Sequence, residues 1–198
     1  MICIVDYGIG NLGAIRNMLK YLGIDAVVSG EISTIESAEK LILPGVGAFD
    51  YAVNQLKKLG LFDVLDREAT VKCKPILGIC LGMQLMTRSS EEGEQAGFGW
   101  IDAGVKKLQL EGLKVPHMGW NVVEHANNPL TLNDDDERFY FVHSYYVKCD
   151  DYNDVMYSTN YGRKFVSGFR KGNIIGVQFH PEKSHRFGMS LLQKFCEL

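Results

Sequence analysis

The N-terminal half of the chain alternates short apolar segments with amphipathic segments of helical period. Apolar runs stand in "MICIVDYG", "DAVVSG", "KLILPGVG" and "PILGIC". Between them lie "NLGAIRNMLKYLG", which stops at Gly23, and then "AFDYAVNQLKKLG" and "LFDVLDREATVK", whose apolar residues recur at helical spacing. Strands that alternate with helices form parallel sheets, because each helix serves as the crossover between two strands. The pattern therefore predicts a mainly parallel sheet flanked by helices.

After Glu91 the chain changes to glycine-punctuated, hairpin-like segments. These are "GFGWIDAGVKKL", "VPHMGWNVVEH" and "RFYFVHSYYVKC", and they predict an antiparallel excursion attached to the parallel sheet. The chain then closes with the strand "NIIGVQF" and the helix "FGMSLLQKFCEL". The helix that follows "PILGIC" is expected to run through "GMQLMTRSS". Because no internal repeat, low-complexity tract or linker divides the chain, we expect residues 1–198 to form one α/β domain.

Composition and charge exclude several classes of protein. The 21 basic and 24 acidic residues give a formal charge of −3, so neither a nucleic acid nor a membrane surface is an expected partner. The five cysteines are an odd count without a C-x-x-C pair, which argues against a disulfide framework or a zinc site and indicates a reducing compartment. No leader-like segment opens the chain, and no apolar run approaches the ~20 residues that span a bilayer. We therefore expect a cytoplasmic protein.

Cys80 lies between Gly78 and Gly82 in "PILGICLGMQ", where an apolar strand passes into a helix. In such a G-x-C-x-G frame the glycines leave room for a sharp turn that presents the central side chain. The N-terminus of a helix also favours an anion, as a nucleophilic thiolate requires. The alternative is a buried cysteine that packs as a small hydrophobe. The frame alone leaves both interpretations open.

His180 is the histidine best placed to act as a base for Cys80. It ends the apolar segment "IIGVQF", and the following Pro181 favours an extended conformation. Because residues two apart in an extended chain point to the same side, Glu182 is expected beside His180, where it can accept the Nδ1–H and leave Nε2 facing a thiol. The alternative is a strand-end histidine near a solvated glutamate. Since open parallel sheets build their sites at the carboxyl ends of strands, we predict a Cys80–His180–Glu182 site.

Backbone N–H groups near Cys80 are the candidate oxyanion donors. One donor is expected from Leu81, directly after the nucleophile. The second is expected from Gly45, Val46 and Gly47 in "LPGVGAF", because the two glycines permit peptide orientations that other residues resist. The alternative is a plain strand-to-helix turn.

Together the segments "GICLGMQ" and "QFHPEKS" resemble the class I, triad-type glutamine amidotransferases. With "DYGIGNL", "LPGVGAF", "KVPHMGWN" and "FVHSYY" added, the chain closely resembles the glutaminase subunits of imidazole glycerol phosphate synthase, and the motifs run from Asp6 to Ser184. The resemblance implies a flavodoxin-like α/β fold that docks on a separate (β/α)₈-barrel cyclase. It also implies that ammonia from glutamine passes through the barrel during histidine biosynthesis, with no metal and no bound cofactor.

The resemblance assigns roles to individual residues. It implies that Cys80 attacks the glutamine carboxamide to form a glutamyl thioester, that His180 moves a proton to the departing ammonia, and that Glu182 orients His180. It further implies a clamp for the glutamine amino and carboxylate groups, formed by Gln84, Ser144 and Tyr145. The residues that it implies for the barrel-facing surface are Asn11, Trp120 and Lys183.

Each of these secondary roles has a structural alternative. Gln84 could occupy a solvated helix position, Trp120 and Tyr145 could be core aromatics, Asn11 could cap the first helix, and Lys183 could be an ordinary surface charge. The remaining histidines of interest are interpreted as structural: His117, His143 and His185.

Two other functions remain open from the sequence. One is a paralogous glutaminase that supplies ammonia to a barrel partner for sugar amination in surface-glycan synthesis, an interpretation to which Trp100 contributes because a smaller aliphatic residue is expected in "GFGWIDAG". The other is a non-catalytic binding module on the same fold. The presence of Cys80, His180 and Glu182 argues against the second. A vitamin-related glutaminase is disfavoured by the Pro-Gly-Val-Gly segment.

Overall fold

The computed structural model describes residues 1–126 and 137–198. The first half of the chain supplies the alternating strands and helices. In chain order they are β1 (Ile2–Val5), α1 (Leu12–Tyr21), β2 (Ala26–Ser29), α2 (Ile32–Ser37), β3 (Lys40–Gly45), α3 (Phe49–Lys58), α4 (Leu61–Thr70), β4 (Ile76–Cys80) and α5 (Leu81–Leu85).

The second half is mostly strand. Its elements are β5 (Ala103–Lys107), β6 (His117–Val122), β7 (Glu124–His125), β8 (Arg138–His143), β9 (Tyr145–Cys149), β10 (Val155–Asn160), β11 (Lys164–Lys171), β12 (Ile174–Val177) and the last helix, α6 (His185–Glu197). Short 3₁₀ turns cover Tyr152–Asp154 and Pro181–Lys183.

One sheet of ten strands organises the described part of the chain. Its parallel part has the order β2-β1-β3-β4-β12. From β12 the sheet continues antiparallel through β11, β10 and β7, and β9 joins β11 to β5. A separate antiparallel pair is formed by β6 and β8. The predicted fold class, a mainly parallel sheet flanked by helices with an antiparallel excursion, is confirmed.

Alternation along the strands divides the core between the two faces of the sheet. Cys3 and Val5 of β1 belong to one hydrophobic cluster, with side chains of α3 and α4, whereas Ile2 and Ile4 belong to another, with side chains of α1 and α6. Strands β1, β4 and β12 are buried along their whole length because helices cover both faces. No helix within residues 1–126 and 137–198 is long and apolar enough to cross a membrane.

Four elements differ from the sequence-based expectation. Helix α2 and strands β10 and β11 were not predicted. The helix after Cys80 is shorter than expected, because it ends at Leu85 rather than extending to Ser90. Its continuation is replaced by bonds to a returning segment: the carbonyls of Leu85, Met86 and Thr87 accept hydrogen bonds from the N–H groups of Phe98, Ile101 and Gly99.

That returning segment also explains Trp100. Its indole N–H donates to Asp66 Oδ1 at 2.8 Å, and its ring stacks on Phe98, which in turn stacks on Phe62. Trp100 is therefore a packed core aromatic whose indole N–H has a hydrogen-bond partner. It does not line the cavity that opens at the carboxyl ends of β3 and β4, which is described below.

The order β3-β4-β12 brings three strand ends together. Gly45 at the end of β3 pairs with Cys80 at the end of β4, and Val177 at the end of β12 pairs with Ile79. Between them the chain turns at Gly82, where an added Cβ would lie 1.8 Å from the carbonyl oxygen of Leu43. Only glycine fits this approach, so α5 can start directly beneath β3.

Candidate active site

A cavity of about 400 Å³ opens at these strand ends. Most of the site residues predicted from the sequence line this cavity, together with four residues that were not predicted. The lining residues are Val46, Gly47, Cys80, Leu81, Gln84, Glu92, Pro116, Val142, His143, Ser144, Tyr145 and His180. Ser144 and Tyr145 reach it because the chain passes there from β8 into β9. Gly45 and Glu182 stand behind this lining rather than in it.

The backbone of Cys80 has a strained conformation, as is typical of a nucleophile on a sharp turn between a strand and a helix. Its φ of 54° and ψ of −108° fall in a region that residues with a Cβ rarely adopt. The side chain is 8% exposed, and that exposure is to the cavity. A cysteine that only fills the core requires no such conformation, so the geometry favours the nucleophile.

His180 and Glu182 form a buried pair beside Cys80. Nδ1 of His180 lies 2.9 Å from Oε1 of Glu182, and both side chains are 2% exposed. The expected reason for this contact was wrong: only His180 is extended, and the 3₁₀ turn Pro181–Lys183 folds Glu182 back onto the ring. Nε2 of His180 is buried and has no hydrogen-bond partner among the described residues, so it remains for proton transfer at the cavity.

Ser184 fixes the segment that carries His180. Its hydroxyl donates to the carbonyl of His180 at 2.6 Å and accepts from the N–H of Tyr140 at 3.0 Å. The N–H of His180 donates to the carbonyl of Tyr140 at 2.9 Å. No local pattern could have indicated this contribution of Ser184, because β8 and the segment after β12 are far apart along the chain.

The electrostatic surroundings keep a proton on His180. Burial disfavours the imidazolium, but the negative charges of a Cys80 thiolate and of the Glu182 carboxylate outweigh burial and raise the pKa of His180 to about 10. A charged imidazole next to the sulfur stabilises a thiolate and can later protonate a leaving amine.

The loop after β3 is only partly as expected. Gly47 has φ of +100° with no atom within 4 Å of an added Cβ, and Val46 is exposed to the cavity mouth. Gly45 was expected to share this freedom, but an added Cβ there would lie 2.8 Å from the Tyr7 hydroxyl. That hydroxyl donates to the carbonyl of Pro44 at 2.6 Å. Gly45 is therefore needed for close packing, and the freedom to turn is confined to Gly47.

Gln84 is 5% exposed and lines the cavity, so the alternative of a solvated helix position is wrong. Tyr145 is half-buried at the cavity wall rather than enclosed in the core. Glu92, which the sequence analysis missed, is the carboxylate-bearing residue of the lining, and its Oε2 accepts from the N–H of Phe49. No group of side chains in residues 1–126 and 137–198 is arranged to hold a metal ion.

The candidate partner-facing residues are exposed. The Trp120 ring is 45% exposed and lies parallel to the His185 ring at 5.6 Å, so Trp120 is not a core aromatic. Lys183 Nζ lies 5.6 Å from the centroid of the Tyr140 ring, which also contacts Trp120. Asn11 precedes α1, but its side chain makes no capping hydrogen bond. The cap alternative for Asn11 is therefore wrong.

His117 and His143 form a neutral buried pair at the cavity wall, where His143 is one of the lining residues. Their Nδ1 and Nε2 atoms lie 2.9 Å apart, and His143 Nδ1 lies 2.8 Å from the Tyr145 carbonyl. A carbonyl can only accept, so His143 carries its proton on Nδ1 and receives the Nδ1–H of His117 on Nε2. Burial lowers the pKa of His117 to about 4 and that of His143 to about 3.

This pair predicts a loss of stability in mild acid. Below the ordinary histidine pKa of about 6.5, His117 and His143 become protonated in the unfolded chain but stay neutral in the folded chain. The free energy of unfolding therefore falls as pH drops from 6.5 towards 4. Each histidine contributes a slope of up to about 1.4 kcal/mol per pH unit. Denaturant unfolding at several pH values should show this slope, and His143→Gln should remove roughly half of it. An unchanged slope in His143→Gln would contradict the neutral pair.

Comparisons with known proteins agree with this geometry. The family model described as glutamine amidotransferase class-I matches residues 3–197. A curated protein of Methanococcus maripaludis, "Imidazole glycerol phosphate synthase subunit HisH 2", is 50% identical and aligns with 100% of this chain and 99% of its own length. A protein of the same name from Pseudomonas aeruginosa is 49% identical, with 100% of both chains covered.

Solved structures show the same fold at low sequence identity. One described as a glutamine amidotransferase has a TM-score of 0.79 at 19% identity and covers 99% of this chain and 97% of its own. A glutamine amidotransferase of Thermotoga maritima has a TM-score of 0.67 at 19% identity, with 99% of this chain and 81% of that chain covered. The family match over nearly the whole chain and the full-length relatives together carry the assignment: this chain belongs to the class-I glutamine amidotransferases, and within them to the HisH subunits of imidazole glycerol phosphate synthase.

Proposed function

We propose that this chain hydrolyses the side-chain amide of L-glutamine to glutamate and ammonia, and that it delivers the ammonia to a (β/α)₈-barrel cyclase subunit that makes imidazole glycerol phosphate and aminoimidazole carboxamide ribotide. The observation that carries the hydrolysis is the strained Cys80 in a cavity it shares with a protonated His180, whose Nδ1 is held by Glu182. The named relatives favour the histidine-pathway partner over a surface-glycan partner.

The chemistry follows from the placement of these groups. The Cys80 thiolate attacks the carboxamide carbon, and the developing oxyanion is held by the N–H of Leu81 and by an N–H of the loop at Gly47. His180 gives its Nε2 proton to the leaving nitrogen, so ammonia departs and a glutamyl thioester remains. His180, now neutral, takes a proton from water as the water attacks the thioester. Glutamate leaves and the thiolate–imidazolium pair is restored.

The lining of the cavity supports an amino-acid substrate. Glu92 supplies a negative charge and Gln84 a carbonyl oxygen for an α-ammonium group, and Ser144 and Tyr145 supply polar groups for an α-carboxylate. A volume of about 400 Å³ accommodates one glutamine.

Exposed apolar side chains support a partner surface next to the cavity. Alternate residues of β6 are strongly exposed: Met118 is 60% exposed, and Trp120 and Val122 are exposed on the same face of the strand. With Asn11 and Lys183 we take this face to be where the barrel partner docks.

Activation by that partner tests the proposal. If the peptide before Gly47 rests with its carbonyl towards the cavity, one oxyanion donor is missing, at a cost of ~3 kcal/mol in the barrier. We expect very low glutaminase activity from the chain alone. Adding the barrel partner with an analogue of its substrate should raise kcat by roughly a hundredfold with little change in the glutamine KM.

A matched pair of variants locates the docking face. Trp120→Ala should weaken both the activation and the copurification of the barrel partner, whereas Tyr152→Ala removes an even more exposed aromatic elsewhere and should leave both unchanged. Full activity of the isolated chain, or activation expressed only in KM, would contradict the proposal.

A further inference from the structure

Gln178 is a buried polar residue that the catalytic scheme does not use. It follows β12, two residues before His180, and its side chain is fully buried. Its Nε2 lies 3.7 Å from the Sγ of Cys80, within hydrogen-bond distance for sulfur. A buried primary amide directed at a nucleophile needs a physical reason, because apolar side chains fill such a position without polar cost.

The orientation of this amide is fixed by its neighbours. Gln84 Nε2 lies 3.3 Å from the Tyr145 carbonyl and 3.1 Å from Gln178 Oε1. The carbonyl can only accept, so the Gln84 atom facing it is the nitrogen, and its two hydrogens are used by the two contacts. The Gln178 atom next to Gln84 must then be the acceptor oxygen. It follows that the NH₂ group of Gln178 faces the sulfur.

Backbone contacts hold this arrangement in place. The N–H of Gln178 donates to the carbonyl of Ser167 at 2.9 Å, and the N–H of His180 donates to the carbonyl of Tyr140 at 2.9 Å. The residue between them, Phe179, stacks on Phe139 with ring centroids 3.8 Å apart. The backbone is therefore anchored on both sides of the residue, and the hydrogen bond from Gln84 directs the side-chain amide itself.

We propose that Gln178 is a positioning residue that donates its side-chain N–H to the Cys80 sulfur and thereby stabilises the thiolate and fixes its place in the cavity. Gln84 donates a hydrogen bond to the Oε1 atom of Gln178, and this contact selects the amide orientation in which the Gln178 NH₂ group faces the sulfur. The inference rests on the proposed role of Cys80 as nucleophile. It adds a donor on the β12 side of the sulfur, separate from the imidazole of His180.

The pH dependence of Cys80 alkylation tests this role without using turnover. Iodoacetamide is applied to the full folded chain over a range of pH, and the modified peptides are quantified by mass spectrometry. Exposed Cys73 serves as the internal reference in every sample. Gln178→Met keeps length and volume but removes the donor. The midpoint of Cys80 alkylation should move upward by about one pH unit, since a hydrogen bond to a charged group is lost, and that of Cys73 should not move.

Two further variants make the result specific. Gln178→Glu retains an acceptor for Gln84 but puts an oxygen next to the sulfur, so it should also move the Cys80 midpoint upward. Gln193→Met changes an exposed glutamine of α6 and should move neither midpoint. Thermal unfolding of each variant shows which of them fold, and Gln178→Glu decides the question if Gln178→Met does not.

The outcomes separate the inference from the function on which it rests. A wild-type Cys80 that reacts no faster than Cys73 at neutral pH would contradict Cys80 as nucleophile. A reactive wild-type Cys80 whose midpoint is unchanged in a folded Gln178 variant would overturn the role of Gln178 alone, and would leave it as a core residue.

Discussion

Replacing Cys80 with alanine is expected to abolish glutamine-dependent synthesis while leaving synthesis from an added ammonium salt intact. Only the sulfur can form the thioester, so the glutamine-dependent rate should fall by at least about a thousandfold. The ammonium-dependent rate should persist because Cys80 lies in this chain's cavity, whereas the proposed synthesis takes place on the partner. Initial rates of synthesis by the complex, measured side by side with glutamine and with ammonium as the nitrogen source, give the glutamine-dependent and the ammonium-dependent activity of the variant.

The chain offers a matched control for this substitution. Cys196 is a half-buried cysteine of α6 that lies outside the active-site cavity, and Cys196→Ala should leave both rates near wild type. Glutamine use by Cys80→Ala above a few per cent of wild type would contradict the assignment of Cys80. Loss of the ammonium-dependent rate as well would indicate a disrupted complex instead.

The parallel half of the fold was predictable because local patterns determine it. A strand that is buried on both faces, such as Ile2–Val5, appears in the sequence as an apolar run. A helix that covers the sheet, such as Phe49–Lys58, appears as apolar residues at helical spacing. Strands β10 and β11 carry no such local signal. Their burial depends on pairing with each other and with β12 and β9, which is a property of the whole sheet.

The candidate site divides in the same way. Cys80 and His180 were predictable because Cys80 ends β4 and His180 closely follows β12, and the carboxyl ends of parallel strands meet at one edge of a sheet. Glu182 was predicted to lie beside His180 because residues two apart in an extended chain point to the same side. The contact exists, but the 3₁₀ turn Pro181–Lys183 forms it, so the predicted reason was wrong. Glu92 and Gln178 had no sequence signal: Gln178 meets Cys80 across 98 positions only because β12 lies next to β4.

The second large effect is expected at the base. His180→Ala should lower kcat for glutamine nearly as far as Cys80→Ala, because it removes both the proton donor for ammonia and the base for thioester hydrolysis. Glu182→Gln should lower kcat less, by roughly tenfold to a hundredfold, because the imidazole remains and loses only its charged partner on Nδ1. Steady-state glutaminase kinetics of the activated complex, with ammonium-dependent synthesis as the control, measure both.

Glu182→Gln should also carry a signature that a packing defect would not produce. Burial lowers the pKa of His180, but the Cys80 thiolate and the Glu182 carboxylate outweigh burial and raise that pKa to about 10. Removing the Glu182 charge lowers that pKa, so His180 loses its proton at a lower pH and the alkaline limb of kcat should move to lower pH. A kcat that falls equally at every pH would contradict this electrostatic role, and a Glu182→Gln defect larger than that of His180→Ala would reverse the roles assigned to the two residues.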